Sequence, residues 1–183
     1  MPSPPTIDSV YIVTDYGVNP NNVPATNTLN LRALVSYVET NGGGGIILFP
    51  PWDGTTSPGA YYFQTSSGAA VISMGSLSSQ ILFCGTGLGA TLIMQSNGDF
   101  FDIDTTNYIA FQDLTIEYDH SAGALSGTAI NYLGAQGCYL FRVNLVTAQR
   151  PSASHAILPW LQIMWPLSLT ARFCILVLIQ SRR

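Results

Sequence analysis

Residues 109–116 read Ile-Ala-Phe-Gln-Asp-Leu-Thr-Ile, and residues 138–145 read Cys-Tyr-Leu-Phe-Arg-Val-Asn-Leu. With Ile109 laid on Cys138, Phe111, Asp113, Leu114, Thr115 and Ile116 fall on Leu140, Arg142, Val143, Asn144 and Leu145. One step earlier, Ile81-x-Phe83 precedes Ile109-x-Phe111 at nearly the same interval. Each unit carries short runs with apolar residues at i and i+2, the spacing of a strand with one face buried. A unit this short cannot bury its own apolar faces. Units must therefore stack, and strands stacked at a fixed period form a β-solenoid. A β-sandwich whose strands recur about every 10–15 residues is the alternative reading. A second echo, Asp102-Ile103, Ala129-Ile130 and Ala156-Ile157, recurs at a constant, slightly shorter interval and is read as a further strand of the unit.

Upstream of the repeats lies one clear helix signal. Thr28–Thr40 reads TLNLRALVSYVET, with Leu31, Leu34, Val35 and Val38 on one face. Asn27 is the expected N-cap and Asn41-Gly42 the expected stop. The glycines 42–45 then lead into Ile46–Phe49 and Pro50, a short buried strand closed by proline.

Composition bounds the function. The chain has 183 residues, six arginines, no lysine and ten carboxylates, for a net charge of −4. Nucleic-acid binding needs clustered basic residues, which are missing. Hydrophobic residues are 47% and charged residues only 9%, which excludes a disordered chain. Cys84, Cys138 and Cys174 form no C-x-x-C pair, so they are read as free thiols rather than as a zinc or redox motif. The opening Met-Pro-Ser-Pro-Pro lacks the basic and apolar regions of a signal peptide.

The order of motifs at the N-terminal side resembles a known family. It runs Val13-x-Asp15-Tyr16-Gly17-Val18, the helix, the glycines with Ile46-Ile47-Leu48-Phe49-Pro50-Pro51, Gly59-x-Tyr61-Tyr62-Phe63, Gly85-x-Gly87, and Phe111-Gln112-Asp113-Leu114-Thr115-Ile116. This resembles the N-terminal part of the pectate-lyase-like superfamily. The nearest group is the rhamnogalacturonase/epimerase-like pectate lyase domain, also found in phage tailspikes. The resemblance covers roughly residues 10–147. It implies an all-β fold, a right-handed parallel β-helix with an N-terminal capping α-helix, whose first strand is the Val13–Val18 motif. It implies an extracellular protein whose partner is a polysaccharide, and a polysaccharide lyase or glycoside hydrolase. The alternative is a non-catalytic carbohydrate-binding or structural β-helix, such as a virion spike or surface adhesin. Two departures stand out: Ala25-Thr26-Asn27-Thr28 replaces the family's acidic run, and Trp52–Pro58 is an insertion. The N-T-D, D-D, G-H-G and R-I-K strings of the hydrolases are absent, and His120 and His155 are not between glycines. The expectation is therefore residues 1–150 as cap and first coils of a longer scaffold, with no catalytic residue carried over.

Candidate residues come from the sequence pattern. Asp102 and Asp104 flank Ile103; with Phe101 and Ile103 inward, both carboxylates point outward. Residues two apart on a strand are about 6.5–7 Å apart, near the lower end for the carboxylates of an inverting glycosidase. A solvated strand edge is the plain alternative. With Asp99 nearby the same pair would suit Ca²⁺, the one cofactor the sequence suggests, without requiring a metal. Asp113, Glu117 and Asp119 form a second acidic group. Asp113 breaks the apolar alternation, which places it at a corner between strands, and the register that lays Phe111 on Leu140 sets Arg142 above it. Arg142 is read as a substrate-carboxylate clamp or as half of an inter-coil ion pair. Tyr108, Tyr118, Tyr132 and Tyr139 recur near outward positions and are candidates for stacking on sugar rings. Gly85, Gly87 and Gly89 are read as turn glycines, because a strand and not a helix follows them.

The segment 151–183 changes character. No carboxylate occurs after Asp119 and no glycine after Gly137. Ile157–Ile179 contains a single charge, Arg172. Its length fits a membrane span, but Pro159, Pro166 and Arg172 argue against one. Leu161, Ile163, Trp165, Leu167, Leu169 and Phe173 share one parity, which fits a further strand. A non-native tail from a frame change is the third reading.

Overall fold

The computed structural model describes residues 9–41, 43–51, 60–66, 68–75, 79–86, 90–104, 109–119, 121, 125–132 and 138–145. The 151–183 readings, Tyr108, His120, His155 and the 52–58 insertion lie outside these residues.

The described chain is mostly short strands in parallel sheets, with one α-helix. It begins with β1 (Val10–Ile12), a 3-10 turn over Val13–Tyr16, and α1 (Pro24–Thr40). Strands follow in sets of three: β2 (Gly44–Phe49), β3 (Ala60–Phe63) and β4 (Ile72–Met74), then β5 (Gln80–Gly85), β6 (Ala90–Met94) and β7 (Phe101–Ile103). The third set is β8 (Ile109–Gln112), β9 (Leu114–Tyr118) and β10 (Ile130–Tyr132), and β11 (Cys138–Phe141) and β12 (Asn144–Leu145) come last. Each set feeds three different sheets. The first sheet runs β1-β2-β5-β8-β11, the second β3-β6-β9-β12 and the third β4-β7-β10, and every pairing is parallel.

The alternation read from the sequence decides which side chains face in. Phe101, Ile103, Ile109, Phe111, Leu114 and Ile116 are buried, while Asp102, Ala110, Gln112 and Thr115 between them are not. Inward side chains from all three sheets share one core. Phe83 and Phe111 of the first sheet stack at 5.3 Å, and Phe101 of the third sheet packs 4.8 Å from each. Tight corners connect the sheets. A Cβ at Gly85, where β5 ends, would overlap the carbonyl of Asp113, between β8 and β9, so the corner closes only around a glycine.

The predicted register holds in the first two sheets: Ile81 pairs with Ile109, Ile109 with Cys138, Phe111 with Leu140, and Ile116 with Leu145. The echo that lays Ile103 on Ile130 does not hold. Ile130 pairs with Phe101 and Asn131 with Asp102, so the third sheet takes the same step as the other two. Likeness matches Asp-Ile with Ala-Ile two positions out of phase. An even offset preserves the inward-outward parity, so hydrophobic pattern cannot reveal it.

Two further expectations shift. The helix starts at Pro24, because proline is suited to the first helical turn, where its missing N–H costs nothing. Asn27 is thus inside the first turn, fully buried, and not the N-cap. Its amide donates to the Asn19 and Tyr62 carbonyls and its oxygen accepts from the Asn19 N–H. Val13–Tyr16 coil into a 3-10 turn ended by Gly17 at φ 79°, and the strand is Val10–Ile12 instead. As expected, Leu31, Leu34, Val35 and Val38 form the buried face of α1. The helix lies at the β3 and β4 edges: Thr28 donates to the Gln64 carbonyl at 2.8 Å, and Arg32 to the Ala70 and Val71 carbonyls at 2.6 and 2.8 Å. Those edges would otherwise expose unpaired backbone groups.

Candidate functional site

The corner between the first and second sheets carries an ion pair between Asp113 and Arg142. Asp113 and Arg142 hold the same place in successive sets, both with left-handed backbones at φ 56° and 51°. Arg142 donates through Nε and Nη2 to the two carboxylate oxygens of Asp113, the second bond at 2.6 Å. Gln112 Nε2 donates to Asp113 Oδ2 at 3.0 Å, and the Asp113 N–H to the Phe141 carbonyl. The predicted ladder contact is present in the forked form that suits arginine. The Asp113 side chain is 7% exposed and that of Arg142 58%. The Arg142 fork holds the Asp113 carboxyl below the usual carboxylate range, against the opposing push of burial. Asp113 in turn raises Arg142 further. Cys84, one strand away, has its thiol pushed up first by burial and then by the Asp113 charge, so it is a poor nucleophile. The outer side of Arg142 lies over the exposed Phe141 ring, 4.7 Å from its centroid.

The third sheet and its flanks carry Asp99, Asp102 and Asp104. Asp102 and Asp104 do point outward, flanking the buried Ile103. Asp102 Oδ1 accepts from Asn131 Nδ2 at 3.1 Å. Asp99 Oδ1 accepts from the Thr128 N–H and Asn97 Oδ1 from the Ser126 N–H, both at 2.8 Å. Each of these bonds joins positions 29 apart, so these side chains stitch one set of strands to the next. Asp104 is exposed, and its N–H donates to the Met74 carbonyl at 2.8 Å. Among the described residues no three His, Cys, Asp or Glu side chains gather closely enough to hold a metal ion. Glu117 and Asp119 lie along the second sheet and its end, where Asp119 accepts from Gln95 and the Ser121 N–H. They do not join Asp113.

The tyrosines divide. Tyr118 is 2% exposed and its hydroxyl donates to the Gly98 carbonyl at 2.8 Å, so it cannot stack on a sugar. The reason is parity: Tyr118 follows Leu114 and Ile116 on the inward side of β9. Tyr132, in register with inward Ile103, is half-buried against the core. Tyr139 is 58% exposed and does present its ring outward. A group that sequence reasoning missed lies at the opposite end. Tyr11 on β1, Tyr16 on the 3-10 turn and Tyr37 on α1 come together with ring centroids 6.0–6.1 Å apart. Burial, then Tyr37, Tyr11 and Asp15, push the Tyr16 hydroxyl up. No local pattern links these residues; only the fold-back of the turn onto the helix does.

No family model matches the chain, nor does any curated protein or solved structure. Among the described residues no helix is long and apolar enough to cross a membrane.

Proposed function

We propose that the chain is the cap and first coils of a right-handed parallel β-helix from a polysaccharide-processing protein, of pectate lyase or glycoside hydrolase type. The observation that carries this reading is the rotation of successive strands among three parallel sheets, beginning beside α1, with the last step the same in all three. Such a scaffold presents one outward residue per coil in straight rows, spaced about 4.8 Å, a geometry suited to a linear polymer. Exposed Tyr139 and Phe141, with Arg142 beside them, supply apolar faces and a cation for an acidic sugar. Asp102 and Asp104 remain the candidate acid–base pair, on the outward face of β7 and the residue after it.

A second reading, a non-catalytic polysaccharide-binding or structural β-helix, is favoured by one observation. Asp99, Asp102 and Asp113 are each engaged with the following coil. The test is incubation of the full chain with polygalacturonate and with neutral polymers, reading new reducing ends and the ultraviolet absorbance of unsaturated products. Turnover lost in Asp104→Asn supports the enzyme. Binding without turnover, weakened by Tyr139→Ala, supports the binder. Neither turnover nor binding overturns both.

A further inference from the structure

We propose that Tyr11, Tyr16 and Tyr37 form a cup for a compact organic cation of the quaternary ammonium type. The three rings come from three different elements and stand nearly equidistant, at 6.1, 6.0 and 6.0 Å. Their planes are inclined at 63°, 80° and 39°, so they make walls and not one flat platform. A sugar ring stacks best on a flat face, whereas inclined walls fit a rounded group. The centre of such a triangle lies about 3.5 Å from each centroid, and a cation raised about 3 Å above it is about 4.6 Å from every centroid, within the roughly 6 Å over which a ring that turns its face to the cation attracts it. Tyr16 and Tyr37 are 39% and 46% exposed, while Tyr11 is half-buried against the core, so the group has a floor ring and two rings open to solvent. Exposed Asp15, next to Tyr16, adds negative charge at the rim, and the chain's net charge of −4 favours a cation. The chain contains no lysine, and the cation–ring contact found among the described residues, Arg142 over Phe141, is elsewhere. Charge on the ligand matters because the ring quadrupole attracts the cation electrostatically, which a neutral group of the same shape does not exploit.

The test is an NMR titration of the full chain with choline chloride against its uncharged isostere 3,3-dimethylbutan-1-ol, at constant ionic strength. Choline should shift tyrosine ring signals saturably while the isostere binds at least fivefold more weakly. Tyr37→Ala should reduce choline affinity about threefold to fivefold, Tyr37→Phe should retain it, and Asp15→Asn should weaken it. Tyr37 is half exposed, and Tyr37→Phe, which keeps the ring packing, separates loss of binding from loss of fold. Sedimentation with phosphatidylcholine vesicles, abolished by Tyr37→Ala, would identify a lipid headgroup as the source. Choline binding without sedimentation would identify a soluble or peptide-borne ammonium group. Equal binding of the isostere, or no choline-dependent shift at concentrations that fill a millimolar site, would overturn the proposal.

Discussion

Phe101→Ala tests whether the three sheets enclose a common core. Phe101 is fully buried on β7, and its ring centroid lies 4.8 Å from those of Phe83 and Phe111 and 4.9 Å from Phe100. Truncating a buried phenylalanine costs about 3–5 kcal/mol, because transfer free energy is lost and a cavity remains. Against a domain stability of about 5–15 kcal/mol, that is a fifth or more. The midpoint of thermal unfolding should fall by roughly 6–20 °C. The sharper quantity is the coupling to Phe111→Ala. Phe101 and Phe111 belong to different sheets and touch only if those sheets face one interior. Aromatic pairs of this kind contribute about 0.5–1.5 kcal/mol beyond burial, and a double-mutant cycle isolates that term. Guanidinium unfolding of the two single variants and the double variant provides it. Phe141→Ala, at a side chain 55% exposed, serves as the contrast and should cost under about 1 kcal/mol. A coupling indistinguishable from zero, or a Phe101→Ala penalty below about 1 kcal/mol, would refute the enclosed core.

Three further outcomes are expected. Because Asp113 is held below its ordinary value, its contribution is fully present above the unfolded-state carboxylate range near pH ~4 and is lost as pH falls through its lower folded value; acid unfolding of Asp113→Asn, followed by circular dichroism, should show a shallower loss over that window. Tyr61 is buried, with its hydroxyl donating to the Pro50 carbonyl at 3.0 Å, and burial pushes it up to about 12; its stabilising effect is complete below pH ~10 and lost as pH rises toward 12, so ultraviolet titration should show late-ionising tyrosine that Tyr61→Phe diminishes. Gly127 stands at φ 148°, and a Cβ there would overlap the Gly98 carbonyl of the preceding set; Gly127→Ala should destabilise by about 1–3 kcal/mol in denaturant unfolding, whereas Gly43→Ala, also at positive φ but with nothing within 4 Å, should cost less.

Hydrophobic alternation exposes much of the fold because each strand is short and one-sided, so apolar parity and three-dimensional burial coincide. Ile109, Phe111, Leu114 and Ile116 can be placed inward from sequence, and their partners Cys138, Leu140, Val143 and Leu145 follow from the repeat. The same logic reveals the Asp113–Arg142 fork, since a polar residue breaking the alternation marks a corner. It fails where parity carries no phase information, as when Ile103 is laid on Ile130. It also fails where backbone rules compete with side-chain signals, as when Pro24 sets the start of α1 and leaves Asn27 as a buried bridge. Tyr118 is misplaced for a simpler reason. A polar hydroxyl suggests an outward tyrosine, but a single carbonyl, that of Gly98, satisfies that hydroxyl inside.

The site is less legible than the fold because the register that builds the fold also decides which polar groups are left for function. In a ladder of this kind the equivalent residue of the next set is the nearest competitor for any outward side chain. Asp99 meets the Thr128 backbone, Asp102 meets Asn131 and Asp113 meets Arg142. Each of these carboxylates therefore has its charge or its lone pairs engaged by structure, and using one in catalysis would mean loosening the seam between sets. Asp104 lies one residue beyond β7, and it is its backbone N–H that bonds the Met74 carbonyl. Asp104 is also exposed where Asp102 is partly covered. Of the acidic residues around β7, it is the one whose chemistry the stacking of strands does not already employ. A search for an acid or base on this scaffold accordingly starts at Asp104.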